Sequence, residues 1–234
     1  MVRQLWKRAE FSVLLAGAIV AFGLWSFQEL AEVALDSTAH DFDTGILLAL
    51  REPGRPDDPI GPAWVEGAVR DITSLGSTVV LVLLTAGAAI YLLMIRRRFE
   101  AGLVVFTVVG GQLLSSLLKL GIDRPRPELV SHLADVQTLS FPSGHAMLSA
   151  VVYLTLGSLL AGHAASRAVR IFIIGAAVLL TLLVGASRAY LGVHWPSDIL
   201  AGWSIGFAWA MACWLAARLF FRARRKADIS VPAP

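Results

Sequence analysis

Six separate apolar runs, each near the roughly 20 residues that a helix needs to cross the hydrocarbon core of a bilayer, leave this chain few ways to fold. They are Phe11–Leu35, Ile72–Ile95, Ala101–Ile122, Ser143–Ala161, Ile171–Ser187 and Pro196–Phe221. Hydrocarbon offers no partner for a backbone N–H or C=O, so a spanning segment must satisfy both internally, as a helix does. The expected fold is all-α, a six-transmembrane-helix bundle. Composition agrees: 56% of the 234 residues are hydrophobic and 16% charged, too apolar for a soluble domain of this size. Arg3, Lys7 and Arg8 ahead of the first run also suit a secretory signal. That run is too long for a signal core, however, and no small-x-small cleavage site follows it.

Six spans place both termini on one side, and the basic residues indicate which. Arg3, Lys7 and Arg8, Arg96 to Arg98, Arg167 with Arg170, and Arg218, Arg222, Arg224, Arg225 and Lys226 fall on one face. They are 13 of the 20 Lys and Arg, so this face is expected to be the cytoplasmic side of the cell (inner) membrane. The other face carries Arg51, Arg55, Arg70, Lys119, Arg124, Arg126 and Arg188. The chain reads as a single integral membrane domain over 1–234, with 222–234 a basic, flexible cytoplasmic tail; attraction of that tail to anionic lipid is a second reading. The net charge of +3 sits beside the apolar runs, so nucleic acid is not implied. Cys213 lies within the last run and reads as a small buried hydrophobe, which leaves neither a disulfide framework nor a cysteine metal site.

The long loop from Asp36 to Asp71 is acidic and punctuated by Pro53, Pro56, Pro59 and Pro62. Asp43 to Arg51 reads as a short amphipathic helix with an acidic start, and Trp64 opens a second piece containing Glu66 and Arg70. Both suit the outer interface, although a solvated connector has the same composition. His40, His132 and His163 lack ligand-like spacing and read as surface histidines.

Chemistry concentrates in three places. In Ser187 to Asp198, His194 and Asp198 stand four apart, so a helix already turning there puts them on one face. The carboxylate then fixes one ring nitrogen as a donor and leaves the other as a nucleophile. Arg188, six residues before His194, supplies a planar donor fork suited to phosphate oxygens. At the end of the third run lie Lys119, Arg126 and Pro127; a lysine at a span end also commonly snorkels to the interface. Arg124 reads as an interface cation that is free to touch a second phosphate. Pro142-Ser143-Gly144-His145 precedes the fourth run as a helix start, with N–H groups of Ser143 and Gly144 open to an anion and His145 poised for proton transfer. Two spans separate the loops that carry these groups, so they emerge on the same face and can meet. Two histidines and a carboxylate also match a metal triad. Three neighbouring cations repel a divalent metal and attract a tetrahedral oxyanion, which favours metal-free phosphate chemistry without a cofactor.

The motifs KxxxxxxRP (Lys119, Arg126, Pro127), PSGH (Pro142 to His145) and SRxxxxxHxxxD (Ser187, Arg188, His194, Asp198) resemble those of the type 2 phosphatidic acid phosphatase family. That family shares its site with vanadium haloperoxidases and class A acid phosphatases. All eleven fixed positions are present in order. The resemblance implies attack of His194 on phosphorus to give a phosphohistidine oriented by Asp198, with His145 as the general acid. Lys119, Arg126, Arg188, Ser143 and Gly144 would bind the phosphate. The implied substrate is a lipid phosphate or diphosphate presented at the extracytoplasmic face of the bilayer, of phosphatidic acid, diacylglycerol diphosphate, phosphatidylglycerol phosphate or undecaprenyl diphosphate type. Two other readings are a vanadate-dependent haloperoxidase, against which the spans count, and a non-catalytic lipid-phosphate carrier or flippase. The oligomeric state has no signature in the sequence.

Overall fold

The fold is described from a computed structural model, which covers residues 2–35, 41–136 and 138–230, and the side chains of all of these except 2–11 and 224–230. Eight helices follow one another: α1 (Val2–Leu35), α2 (Asp41–Ala49), α3 (Ala63–Ser74), α4 (Thr78–Met94), α5 (Arg98–Gly121), α6 (Gly144–Gly162), α7 (Arg167–Tyr190) and α8 (Pro196–Ser230). An antiparallel hairpin of β1 (Arg51–Glu52) and β2 (Arg55–Pro59) lies between α2 and α3. Among the described residues, five helices are long and apolar enough to span a membrane, at Ser12–Leu35, Arg98–Gly121, Gly144–Gly162, Arg167–Tyr190 and Pro196–Ala223.

The expected span Ile72–Ile95 is divided in the structure: α3 and α4 reach spanning length and apolarity only together, and they are bent by 46° at a short break. Ser77 caps α4 there by accepting from the Val80 N–H at 3.4 Å, so a new helix starts where the apolar run reads through. The Trp64 piece is the separate helix α3, which packs along α7, with Val65 and Val69 against Tyr190, Leu191 and Val193. The Asp43 piece is helical as expected, but α2 stops at Ala49 and Arg51 belongs to the hairpin. Residues 222–230, read from the sequence as a tail, continue α8. His132 and His163 are exposed, as surface histidines should be. His40 and the side chains of Arg3, Lys7, Arg8 and residues 224–226 lie outside the described residues.

α6 is the buried centre, packed by α7 and α8, while α1 lies along α8. The fit of α8 to α6 depends on Gly202 and Gly206, one turn apart. A Cβ at Gly202 would stand 2.7 Å from the Ser143 carbonyl oxygen, and one at Gly206 2.6 Å from that of Met147. Small residues at this spacing let two backbones touch, which matters where lipid supplies no hydrophobic drive between helices. Phe22, Leu83, Phe106 and Phe172 remain exposed on the outer faces, as suits helices solvated by acyl chains. At one end Phe99 stacks on Phe220 and meets Phe221 edge-on, and Arg97 bonds His163, so the 96–100, 163 and 218–221 segments share that end. The residues of the three motifs gather at the other.

Gly206→Val should lower the thermal stability of the detergent-purified protein by about 1–3 kcal/mol or more, the cost of overpacking. Gly87→Val, at a position with nothing within 4 Å of an added Cβ, should leave the melting temperature nearly unchanged.

Candidate active site

The site is built by the last turn of α5, the connector 122–143 that leads into α6, the first turn of α6, the end of α7 and start of α8 with the turn between them, and α2. Ile122 is extended, which ends α5 just after Lys119. The connector then doubles back, with the Ser140 N–H donating to the Arg124 carbonyl at 3.1 Å. On the facing side α7 ends at Tyr190, and Gly192 turns the chain at φ +72, where a Cβ would lie 2.6 Å from Arg51 Nη2. The Val193 N–H donates back to the Arg188 carbonyl at 3.2 Å, which fixes Arg188 and His194 on the two arms of one turn.

His194 precedes α8 rather than lying on it, so its pairing with Asp198 arises differently from the expected helical face. The Asp198 carboxylate turns back to accept the Trp195 N–H at 3.0 Å, capping α8 and approaching the imidazole on the same side. Nδ1 of His194 lies 3.5 Å from Asp198 Oδ2 and 3.4 Å from Ser140 Oγ, and Ser140 in turn donates to Oδ2 at 2.5 Å. With the carboxylate beside Nδ1, the proton belongs on that nitrogen and the lone pair on Nε2. Nε2 faces Arg126, whose Nη1 is 3.3 Å away. The ring is 2% exposed. Burial, with Arg126 and Arg188 pushing the same way against the opposing Asp198, lowers its pKa from the usual 6.5 to about 4.

The cations meet around this ring. Arg126 donates from Nε to the Thr138 carbonyl at 2.8 Å and from Nη1 to the Val193 carbonyl. Lys119 reaches the same strip of connector, donating to the Leu139 carbonyl at 2.7 Å. Arg188 is buried, donates from Nη1 to Thr73 Oγ1 at 3.1 Å, and keeps Nε without a partner. Gly144 adjoins Lys119: a Cβ there would lie 3.8 Å from the lysine Cε. His145 follows in the first turn of α6. Ser143 departs from expectation, because its N–H is not open to an anion; it donates to the Asp198 carbonyl at 3.1 Å. The group it offers instead is its hydroxyl, fully buried and unpartnered. A buried donor without an acceptor is costly, so Arg188 Nε and Ser143 Oγ are each left with a hydrogen bond to give.

Arg124 requires the largest correction. It is no interface cation: it is 6% exposed and ion-paired to Asp198 Oδ1 at 2.6 Å and Asp43 Oδ2 at 2.9 Å. Asp43, Ser140 and Ser197 belong to this network and carry no motif signal. Asp43 is 81 residues from Arg124 in the chain, and only its place at the acidic start of α2 drew notice to it. Among the described residues no group of three or more His, Cys, Asp or Glu is arranged to hold a metal ion. An apolar groove of about 440 Å³ runs beside the site between α2, α3, α7 and α8, lined by Phe42, Ile46, Leu183, Leu200 and Trp203 among others. A second apolar cavity of about 600 Å³ lies away from the motifs, near Arg170 and Arg218.

Known proteins resemble this chain in sequence and in fold. A family model described as the PAP2 superfamily matches residues 100–222. Phosphatidylglycerophosphatase B of Bacillus subtilis is 35% identical over 151 residues, which cover 61% of this chain and 70% of that protein. An undecaprenyl-diphosphatase of Sulfolobus acidocaldarius is 37% identical over 67 residues, 29% of this chain and 28% of its own. The crystal structure of a transmembrane PAP2-type phosphatidylglycerolphosphate phosphatase from Bacillus subtilis superposes with a TM-score of 0.77 at 27% identity, over 86% of this chain and 96% of that one.

Because a neutral buried histidine is favoured in the fold, its protonation should be resisted until the pH falls through about 4. Between that value and the unfolded-state 6.5 the unfolded chain binds the extra proton, so stability falls as pH falls across this window. Imidazole NMR of the micelle-bound protein should place the His194 midpoint near pH 4; a midpoint of 6 or above would mean that water reaches the ring.

Proposed function

The chain belongs to the PAP2 superfamily and is a multi-pass membrane lipid phosphatase, and from that premise we propose that it cleaves its substrate through a phosphohistidine on His194, without a metal ion. The observation that carries the reading is a buried His194 held by Asp198 at Nδ1 and facing Arg126 with Nε2, among motif residues that include two unpartnered buried donors, Arg188 Nε and Ser143 Oγ. Lys119, Arg126, Arg188, the Ser143 hydroxyl and the Gly144 amide hold the non-bridging oxygens while charge redistributes. Nε2 forms the bond to phosphorus as the bond to the leaving oxygen breaks, that of the lipid alcohol in a monophosphate or the bridging oxygen of the departing lipid monophosphate in a diphosphate, and His145 gives that oxygen its proton. Asp198 offsets the positive charge that the ring acquires. Water then attacks phosphorus with His145 as base, the P–N bond breaks, and inorganic phosphate leaves.

The groove beside the site supports a substrate whose chain stays in lipid while its head group enters. Its apolar walls come in part from α2, through Phe42 and Ile46, so α2 forms one side of the entrance. The two relatives named above act, by their names, on a phosphatidylglycerol phosphate and on undecaprenyl diphosphate. The substrate class proposed here is accordingly a glycerolipid phosphate or a prenyl diphosphate. The excess of Lys and Arg at the opposite end of the bundle supports cytoplasmic termini in the cell membrane and an extracytoplasmic site. A lipid phosphatase is neither of the alternatives, haloperoxidase or carrier, that the sequence left open.

Detergent-purified protein with chelator present should release phosphate from at least one lipid mono- or diphosphate. His194→Ala should reduce that release by about 10³-fold or more, and His145→Ala by about 10²–10⁴-fold. Equal release by wild type and His194→Ala would exclude the phosphohistidine. Ile46→Gln with Leu200→Gln should raise KM for a long-chain lipid phosphate on the order of 10-fold, the worth of a lost apolar contact, and leave a short-chain analogue unaffected. An equal effect on both substrates would remove the groove from the entrance.

A further inference from the structure

One buried charge cluster has no part in the steps above. Asp43 is fully buried and takes three donors: the Ser197 N–H at 2.8 Å and its hydroxyl at 2.5 Å, and Arg124 Nη2 at 2.9 Å. Arg124 Nη1 passes on to Asp198 Oδ1 at 2.6 Å and Ser197 Oγ at 2.7 Å. Building on the phosphohistidine reading, we propose that Asp43 and Arg124 are positioning residues that set the charge Asp198 presents to His194, which makes the interfacial helix α2 a part of the nucleophile's assembly.

The reasoning rests on charge and geometry. Arg124 alone beside Asp198 would cancel its carboxylate, and the dyad would face His194 with no net charge. Asp43 takes the other edge of the guanidinium, so the triplet of two carboxylates and one cation keeps a net charge of −1. That charge is what a ring turning cationic needs when Nε2 bonds phosphorus. Every other charged or titratable group facing His194 works against it or is neutral: Arg126 from the connector, Arg188 from α7 and His145 from α6, with Lys119 of α5 beyond them beside Arg126. A simple tether for α2 would not require this charge, because Leu47 on the same helix is already fully buried in a cluster with Trp195 and Ile199.

The test is a titration of His194 by imidazole NMR in micelles, run beside kcat and KM on phosphatidic acid in mixed micelles. Asp43→Asn keeps the shape and removes the charge. It should move the His194 midpoint below the wild-type value and lower kcat on the order of 10–100-fold, the scale for losing a partner that orients a reacting group, with KM unchanged. Arg124→Met should move the midpoint the opposite way, upward, and Arg124→Lys should hold it near wild type. Leu47→Ala should lower the melting temperature without moving the midpoint. Midpoints that stay fixed, or that move the same way in Asp43→Asn and Arg124→Met, would overturn the assignment; if Asp43→Asn does not fold, the Arg124 pair decides alone. An active wild type that needs His194 but has a midpoint indifferent to both substitutions overturns the assignment and leaves the phosphohistidine standing. A responsive midpoint in a protein that releases no phosphate supports the assignment and overturns the phosphohistidine.

Discussion

The Asp198 carboxylate is the point on which this architecture hangs. A buried carboxylate carries a desolvation cost of several kcal/mol unless its oxygens are met by donors, and here the donors come from three separate places: Trp195 in the turn before α8, Ser140 at the end of the connector, and Arg124 at its start. The backbone carbonyl of the same residue takes the Ser143 N–H at the start of α6. One residue therefore fixes the relative position of α6, α8 and the connector between α5 and α6. Removing any one donor leaves a buried charge short of a partner, so the pieces are held together more firmly than their separate hydrogen bonds suggest.

That polar knot sits at one end of a body that is otherwise apolar, and the bilayer explains the division. Within the spans, backbone groups are satisfied along each helix and the outer faces carry Phe and Leu. Apart from the break between α3 and α4, irregular backbone falls at the ends, where the connector, the α7–α8 turn and the hairpin bond to one another. Arg51 shows how: it donates from Nη1 to the Tyr190 carbonyl at 2.9 Å, so a cation counted on the outer face by sequence closes the end of α7. The close approach of α8 to α6 at Gly202 then brings His194 and Asp198 up to Ser143. Chemistry and packing share the same few residues.

Much of the site was legible because its groups fall in short local patterns. Lys119 with Arg126, Ser143 with His145, and Arg188 with His194 and Asp198 each lie within one turn or connector, where spacing alone restricts what they can do. The span count was legible for the same reason, apolar run length being a local property. What was not legible depends on distant partners. The bend between α3 and α4 interrupts a run that is apolar throughout, and only the Ser77 cap reveals it. The Ser143 N–H looked free because a helix start usually leaves its amides open; it is taken by a carbonyl 55 residues away in the chain, on Asp198. Arg124 looked like any interfacial cation because neither of its carboxylate partners stands near it in sequence.

The partners of the cations also sort them by role, which the sequence alone does not do. Lys119, Arg126 and Arg188 bond to neutral groups: the Leu139, Thr138 and Val193 carbonyls and the Thr73 hydroxyl. A carbonyl orients a guanidinium or an ammonium without cancelling its charge, so these three keep their full attraction for a dianion in a site of low dielectric. Arg124, set between two carboxylates, has none to spare. A second phosphate on a diphosphate substrate would therefore find no counter-charge there, and would have to lie toward the exposed side of Arg126 and Lys119. In the mechanism proposed above, the cations assigned to the phosphate are those with neutral partners and the cation assigned to Asp198 is the one with charged partners, so four like charges divide by the groups they bond.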